Sequence, residues 1–215
     1  MVTRNFSNQN RPFHLGNWPL EKLPRSQETA DPDILNCDLD TTDDAGLNVM
    51  RSILNEYQSL FSTHLTGETA VAKAPIPDDL QARTNNLKSH CYFLDVDLVG
   101  CCHLKPDDWL ASRNEKHRFA VIFLLELPRQ PESGDPGDEW IAGTASDYTD
   151  LRLTEVAAVV SGYLRWMGFE AKGHVLPQSD VNLARLAIRS GISRAENGKL
   201  VAPFLKRGFR LGAVT

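Results

Sequence analysis

The stretch Leu153-Thr-Glu-Val-Ala-Ala-Val-Val-Ser-Gly-Tyr-Leu-Arg-Trp-Met-Gly-Phe-Glu-Ala-Lys-Gly-His-Val175 carries a helix, its terminator and the start of a strand in one run. Leu153, Val156, Ala157, Val160, Leu164 and Met167 recur at intervals of three and four, which puts them on one helix face. Glu155, Ser161 and Arg165 fall on the opposite face, so the helix is predicted to bury one side and solvate Arg165 on the other. Gly168 follows the last periodic residue, where a left-handed backbone favours a residue without Cβ. From Phe169 to Val175 the pattern alternates with period two, as in a half-buried strand.

Downstream, Asp180 is placed to cap a second helix carrying Val181, Ala184, Leu186, Ala187 and Ile188 and ending at Gly191. Residues 208 to 215 read as a final strand. Upstream, Leu47, Met50, Leu54, Tyr57, Phe61 and Leu65 form an amphipathic stripe preceded by Asp43 and Asp44, predicting a core-facing helix. Residues 66 to 77 form a Gly- and Pro-containing linker, and Asp78 or Asp79 caps a helix through Leu80, Leu87 and Cys91. Val96 to Leu104 reads as a strand, and Pro106 suits the first turn of a short helix containing Trp109 and Leu110. The unbroken apolar run within His117 to Leu127 is what a central strand covered on both faces requires. Pro128 to Asp147, rich in Pro, Gly and acids, reads as a long surface loop.

Four X-Pro steps and an acidic stretch from Asp31 to Asp44 make residues 1 to 45 an extended arm with little regular structure. Phe13, Leu15, Trp18, Leu20 and Leu23 equip that arm to wrap another domain or subunit, since a bare leader gains nothing from five large apolar groups. The organisation expected is therefore an arm over residues 1–45 and one α+β domain over 46–215, a central mixed sheet flanked by helices.

The chain has 215 residues, a length suited to one self-sufficient core. A balance of 23 Lys plus Arg against 28 Asp plus Glu gives net charge −5, so no global field draws nucleic acid to it. The apolar runs fall far short of the roughly 20 residues that cross a bilayer, so no membrane partner is expected. Met1 to Ser7 shows neither a long apolar export segment nor a twin-arginine pair, which makes the cytoplasm the expected compartment. No Ser-His-Asp order, phosphate loop or G-x-G-x-x-G supports acyl transfer or nucleotide binding.

The succession Tyr163-Leu-Arg-Trp-Met-Gly-Phe, Leu186-Ala-Ile-Arg-Ser-Gly-Ile, Asn197-Gly-Lys-Leu and Arg207-Gly-Phe-Arg-Leu-Gly-Ala-Val-Thr resembles the reductive dehalogenase family. Asn10-Arg-Pro-Phe-His-Leu-Gly-Asn-Trp-Pro-Leu-Glu-Lys-Leu resembles the N-terminus of its larger, non-respiratory members, and Val96 to Gly100 is similar to a segment that precedes a helix there. The resemblance implies a nitroreductase-like layered fold. For a full-length member it also implies base-off cobalamin, two 4Fe-4S clusters, a tyrosine proton donor and basic residues holding halide or phenolate.

Cluster thiolates need close spacing such as C-x2-C-x2-C, whereas this chain has only Cys37, Cys91, Cys101 and Cys102. Cys101 and Cys102 should face opposite sides of a strand, so with His103 they cannot converge on one ion; the cysteines read as buried thiols and His103 as a rim residue. At the family's glycine-rich turn Ser193 replaces the second glycine, setting a side chain where a flat cofactor needs bare backbone. No cofactor is therefore expected in this chain, and no catalytic, cofactor or metal residue is assigned.

Tyr163, Arg165, His174, Lys206, Arg207 and Arg210 are the residues to follow, each with a plain structural reading beside the functional one. Tyr163 reads as a packed aromatic, His174 as a lone titratable ring, and Lys206, Arg207 and Arg210 as a basic knot that either receives a phosphate or carboxylate or is only a surface patch. Thr215 lies inside a predicted strand, which reads as truncation. The leading expectation is the cofactor-free N-terminal domain, or a truncated or split subunit, of a cobalamin-dependent reductive dehalogenase, partnered by a domain or subunit that carries cobalamin and clusters. The alternatives are a self-contained flavin or corrinoid enzyme, dimeric in that fold, and an assembly partner of a catalytic subunit.

Overall fold

The computed structural model describes residues 49 to 215, except Ser133, Pro136, Pro203 and Lys206. The proposed arm of residues 1–45, with Cys37, lies outside the described residues. The elements are α1 (Val49–Ser62), α2 (Leu80–Phe93), β1 (Leu98–His103), β2 (Phe119–Glu126), α3 (Asp138–Ile141), α4 (Ala145–Trp166), β3 (Gly173–Val175), α5 (Leu183–Ser190), β4 (Arg194–Glu196), β5 (Lys199–Val201) and β6 (Phe209–Val214).

The fold is α+β. A four-stranded sheet in the order β1-β2-β6-β3 has three pairings, all antiparallel. The apolar run of β2 sits mid-sheet as expected, and its side chains divide with period two. Ala120, Ile122 and Leu124 join Leu186, Ala187 and Ile188 of α5 on one face. Val121, Phe123 and Leu125 join Leu153, Val156, Ala157 and Val160 of α4 on the other. Two cores, one on each side of a single sheet, are the reason the run is apolar at every position.

α4 is longer than its apolar stripe predicts, beginning at Ala145 inside the expected loop. It is also covered on its supposed polar side, because α1 packs across it. Hydroxyls tolerate that burial by bonding within the helix: Thr149 to Ala145 O at 2.8 Å, Thr154 to Asp150 O at 2.7 Å and Ser161 to Ala158 O at 3.2 Å. α1 is accordingly less core-facing than its stripe implies, with Leu54 its buried residue and Met50 and Tyr57 39% and 52% exposed.

Helix boundaries follow local chemistry. Asp79 caps α2, accepting from Gln81 N at 3.1 Å and Ala82 N at 3.0 Å. The cap of α5 is Asn182, which accepts from Arg185 N at 3.0 Å, and not Asp180. An isolated bridge between Val181 and Trp109 holds this segment extended, so the helix begins after it. That bridge also keeps Trp109 out of the short helix, which is a 3-10 turn of Pro106–Asp108 only. The strand expected over 169–175 contracts to Gly173–Val175, since β6 is its sole neighbour in the sheet. Asn197 and Gly198, at φ 51° and 76°, make the tight turn of the β4–β5 hairpin.

Candidate functional site

The densest polar cluster gathers at the end of β6. His174 is fully buried, and its Nδ1 accepts from Asp180 N at 3.4 Å. In the neutral ring Nε2 therefore carries the proton, which it donates to Thr215 Oγ1 at 2.8 Å. Thr215 then donates to His117 Nδ1 at 2.7 Å. The hydrogen bonds run in one direction, from Asp180 through His174 and Thr215 to the half-buried His117.

Charges frame the cluster. Lys172 pairs with Asp180 at 2.5 Å and Lys116 with Glu170 at 2.6 Å. Burial pushes His174 down to about 4, with a smaller upward pull from Asp180. Burial also lowers His117, against an opposing pull from Glu170. Near pH 7 both rings are neutral and each hydrogen bond in the chain has its partner, so the cluster fixes β3, β6 and the 105–118 segment together.

Arg165 is not solvated but 7% exposed, a correction to the helix-face argument. Its Nη1 donates to Leu65 O at 3.2 Å and Ala171 O at 3.0 Å, and its Nη2 to His64 O at 2.9 Å. The turn after α1 crosses this face of α4, and the guanidinium fork bonds its His64 and Leu65 carbonyls, the latter shared with Gly173 N at 2.8 Å. Tyr163 stacks on His90 with ring centroids 4.2 Å apart.

The basic knot does not form as one patch. Arg207 pairs with Glu126 at 2.9 Å, whereas Arg210, 8% exposed, turns to Asp150 at 3.6 Å; Lys206 lies outside the described residues. Asp150 is raised to about 6, burial outweighing the pull of Arg210, with Asp147 adding to the rise. Asp108 escaped the sequence reading: fully buried, it accepts from Lys105 N at 2.6 Å and pairs with Arg189. The Pro-Asp-Asp start of the 3-10 turn was the available signal.

A separate cleft of about 420 Å³ lies between α1 and the start of α4. Met50, Leu54, Pro128, Pro131, Ile141 and Tyr148 line it, and its surface is almost wholly carbon.

No protein-family model matches the sequence, and no curated protein matches it. Solved structures do. A reductive dehalogenase whose structure suggests a mechanism for B12-dependent dehalogenation is 42% identical with a TM-score of 0.77, over 99% of this chain and 30% of that one. The catabolic reductive dehalogenase NpRdhA, N-terminally tagged, is 41% identical with a TM-score of 0.76, over 100% of this chain and 31% of that one. Its complex with 3-bromo-4-hydroxybenzoic acid matches at 41% identity and a TM-score of 0.76, over 100% of this chain and 30% of that one.

The fold and these likenesses define an α+β domain similar throughout to one part of the reductive dehalogenase structures. The chain belongs to the reductive dehalogenase family. It spans about 30% of the length of the dehalogenase structures it matches.

Among the described residues the close-approach glycines form no open cradle and no metal-ligand set is grouped. Backbone is bare where it approaches neighbours closely, but the chain's own side chains fill those places. A Cβ on Gly100 would meet Ser190 and Ile192 at 2.6 and 2.8 Å, one on Gly173 would meet Leu65 at 2.6 Å, and one on Gly212 the Phe123 ring at 2.4 Å. Ser193 is 6% exposed. The thiols diverge: Cys102 lies in the α5-side core, while Cys101 packs with Cys91 in the α4-side core. Burial, with a smaller contribution from Cys101, pushes Cys91 up to about 12, far from the thiolate that ligates iron. Among the described residues no three His, Cys, Asp or Glu side chains are grouped to hold a metal ion.

Proposed function

We propose that this chain is the cofactor-free domain, or a split subunit, of a cobalamin-dependent reductive dehalogenase, and that it acts as a scaffold for a partner carrying the corrinoid and clusters. The observation that carries the reading is that its close-approach glycines are filled from within, by Ser190, Ile192, Leu65 and Phe123. Coverage of only about 30% of the related chains leaves the remaining machinery to another domain or subunit. Exposed apolar side chains support such a partner: Val159 and Trp166 lie seven residues apart on α4 at 43% and 86% exposure, and Phe93 ends α2 at 72%. No helix among the described residues is long and apolar enough to cross a membrane, and we take the cytoplasm as the working compartment.

Titration of the purified chain with hydroxocobalamin tests this. A scaffold domain leaves the corrinoid spectrum unchanged through an excess of protein; a saturable spectral change overturns the proposal. A colourless preparation free of stoichiometric iron and cobalt is the accompanying expectation.

A further inference from the structure

The cleft between α1 and α4 is built to receive apolar side chains and is not filled by any described residue. Met50 and Ile141 on its rim are each 39% exposed and Tyr148 is 45% exposed, so packing that these residues need for burial is missing. Its volume of about 420 Å³ falls in the range of small binding pockets, roughly 300–1,000 Å³, and its accessible wall is mostly carbon, although Arg129, Gln130 and Thr144 also line it. A hydrocarbon-rich peptide segment suits it better than a charged metabolite does.

The first described residue, Val49, directly precedes Met50 of the cleft wall. Every residue from 1 to 48 is therefore tethered at the rim. Within that length the acidic stretch from Asp31 to Asp44 gains by staying hydrated, whereas Phe13, Leu15, Trp18, Leu20 and Leu23 gain by leaving water. The segment between Leu23 and Val49 spans far more than the cleft even when partly coiled, at about 3.3 Å per extended residue. Covalent linkage through a segment of this length holds its end at an effective concentration on the order of millimolar, so a modest groove captures it before an unlinked competitor does.

We infer that the cleft lined by Met50, Leu54, Pro128, Pro131, Ile141 and Tyr148 is the docking site for this chain's own Phe13–Leu23 segment. The arm then completes the domain that it precedes and does not primarily grip a partner. The inference is independent of cofactor content and survives either outcome of the cobalamin titration.

A photo-crosslinking phenylalanine analogue at Trp18 of the full chain provides the test. Irradiation should give intramolecular crosslinks to the peptides containing 128–131 and 141–148, and these should fall to background in Met50→Glu/Ile141→Glu. Both replaced side chains are partly exposed, and circular dichroism checks that the double variant folds; Tyr148→Ser serves in its place if it does not. Crosslinks to another face, crosslinks between two chains, or none above the background of the unfolded chain overturn the inference.

Discussion

His174 and Thr215 are joined through Nε2 and Oγ1 at 2.8 Å, and the same hydroxyl reaches His117 at 2.7 Å. One oxygen thus accepts from a fully buried imidazole and donates to a half-buried one, coupling β3 to the segment that leads into β2. Thr215→Val keeps shape but strands the His174 N–H in the core. The expected loss is about 1–3 kcal/mol in urea unfolding, with Thr215→Ser restoring most of it. Equal stability of the Val and Ser variants would show that the hydroxyl is idle.

Asp150 and His174 oppose each other across acid pH. His174, lowered to about 4 in the fold, adds stability above its unfolded value near 6.5 that is lost as pH falls toward 4. Asp150 is raised to about 6, so the folded state holds its proton longer than the unfolded chain does. Its contribution is greatest below the unfolded value near 3.9 and is lost as pH rises through 6. Each is worth roughly 3 kcal/mol, and over the shared window they nearly cancel. Asp150→Asn removes one side of the balance, so its stability should rise from pH 4 to 6.5 more steeply than the parent's. Parallel pH profiles of the two proteins would contradict both assignments.

Arg165 holds three backbone carbonyls, of His64, Leu65 and Ala171, at the C-terminal end of α4. Arg165→Met fills similar space and takes the donors from His64 O and Ala171 O, while Leu65 O keeps Gly173 N at 2.8 Å, for an expected cost of about 1–3 kcal/mol by denaturant unfolding. Lysine carries the charge without the fork, so Arg165→Lys should fall between the two. A methionine variant as stable as the parent would mean that water already reaches these carbonyls.

The sheet and its two cores were legible because β2 is apolar without a break, as a strand covered on both faces must be, and α4 repeats its apolar residues at three and four. What the sequence hid was the third layer. Arg165 and Ser161 lie on the face of α4 that a helical wheel assigns to solvent, yet α1 and its following turn cover that face. Nothing in the spacing of α4 records a helix packed from outside. The same limit misplaced the α5 cap, since Asp180 and Asn182 are equally good caps and only the Trp109–Val181 bridge chooses between them. Cys101 and Cys102 came out on opposite sides because alternation along a strand is local and needs no tertiary information.

Gly168 ends α4 at φ 81°, and a Cβ there would lie 2.5 Å from Ala72 O and 2.8 Å from Lys73 Cα. That neighbouring backbone cannot step aside, because Ala70 N and Ala74 N are each bonded at 3.0 Å to Arg165 O and Met167 O of the helix end. Gly198 has a similar φ of 76°, but nothing lies within 4 Å of its Cβ position. Gly198→Ala therefore meets only the left-handed strain, about 1–2 kcal/mol. Gly168→Ala meets that strain and an overpacked contact, together about 2–5 kcal/mol. The difference between the two in urea unfolding isolates the contact of residues 72–73 with the helix end; equal losses would mean that this linker is not seated against α4.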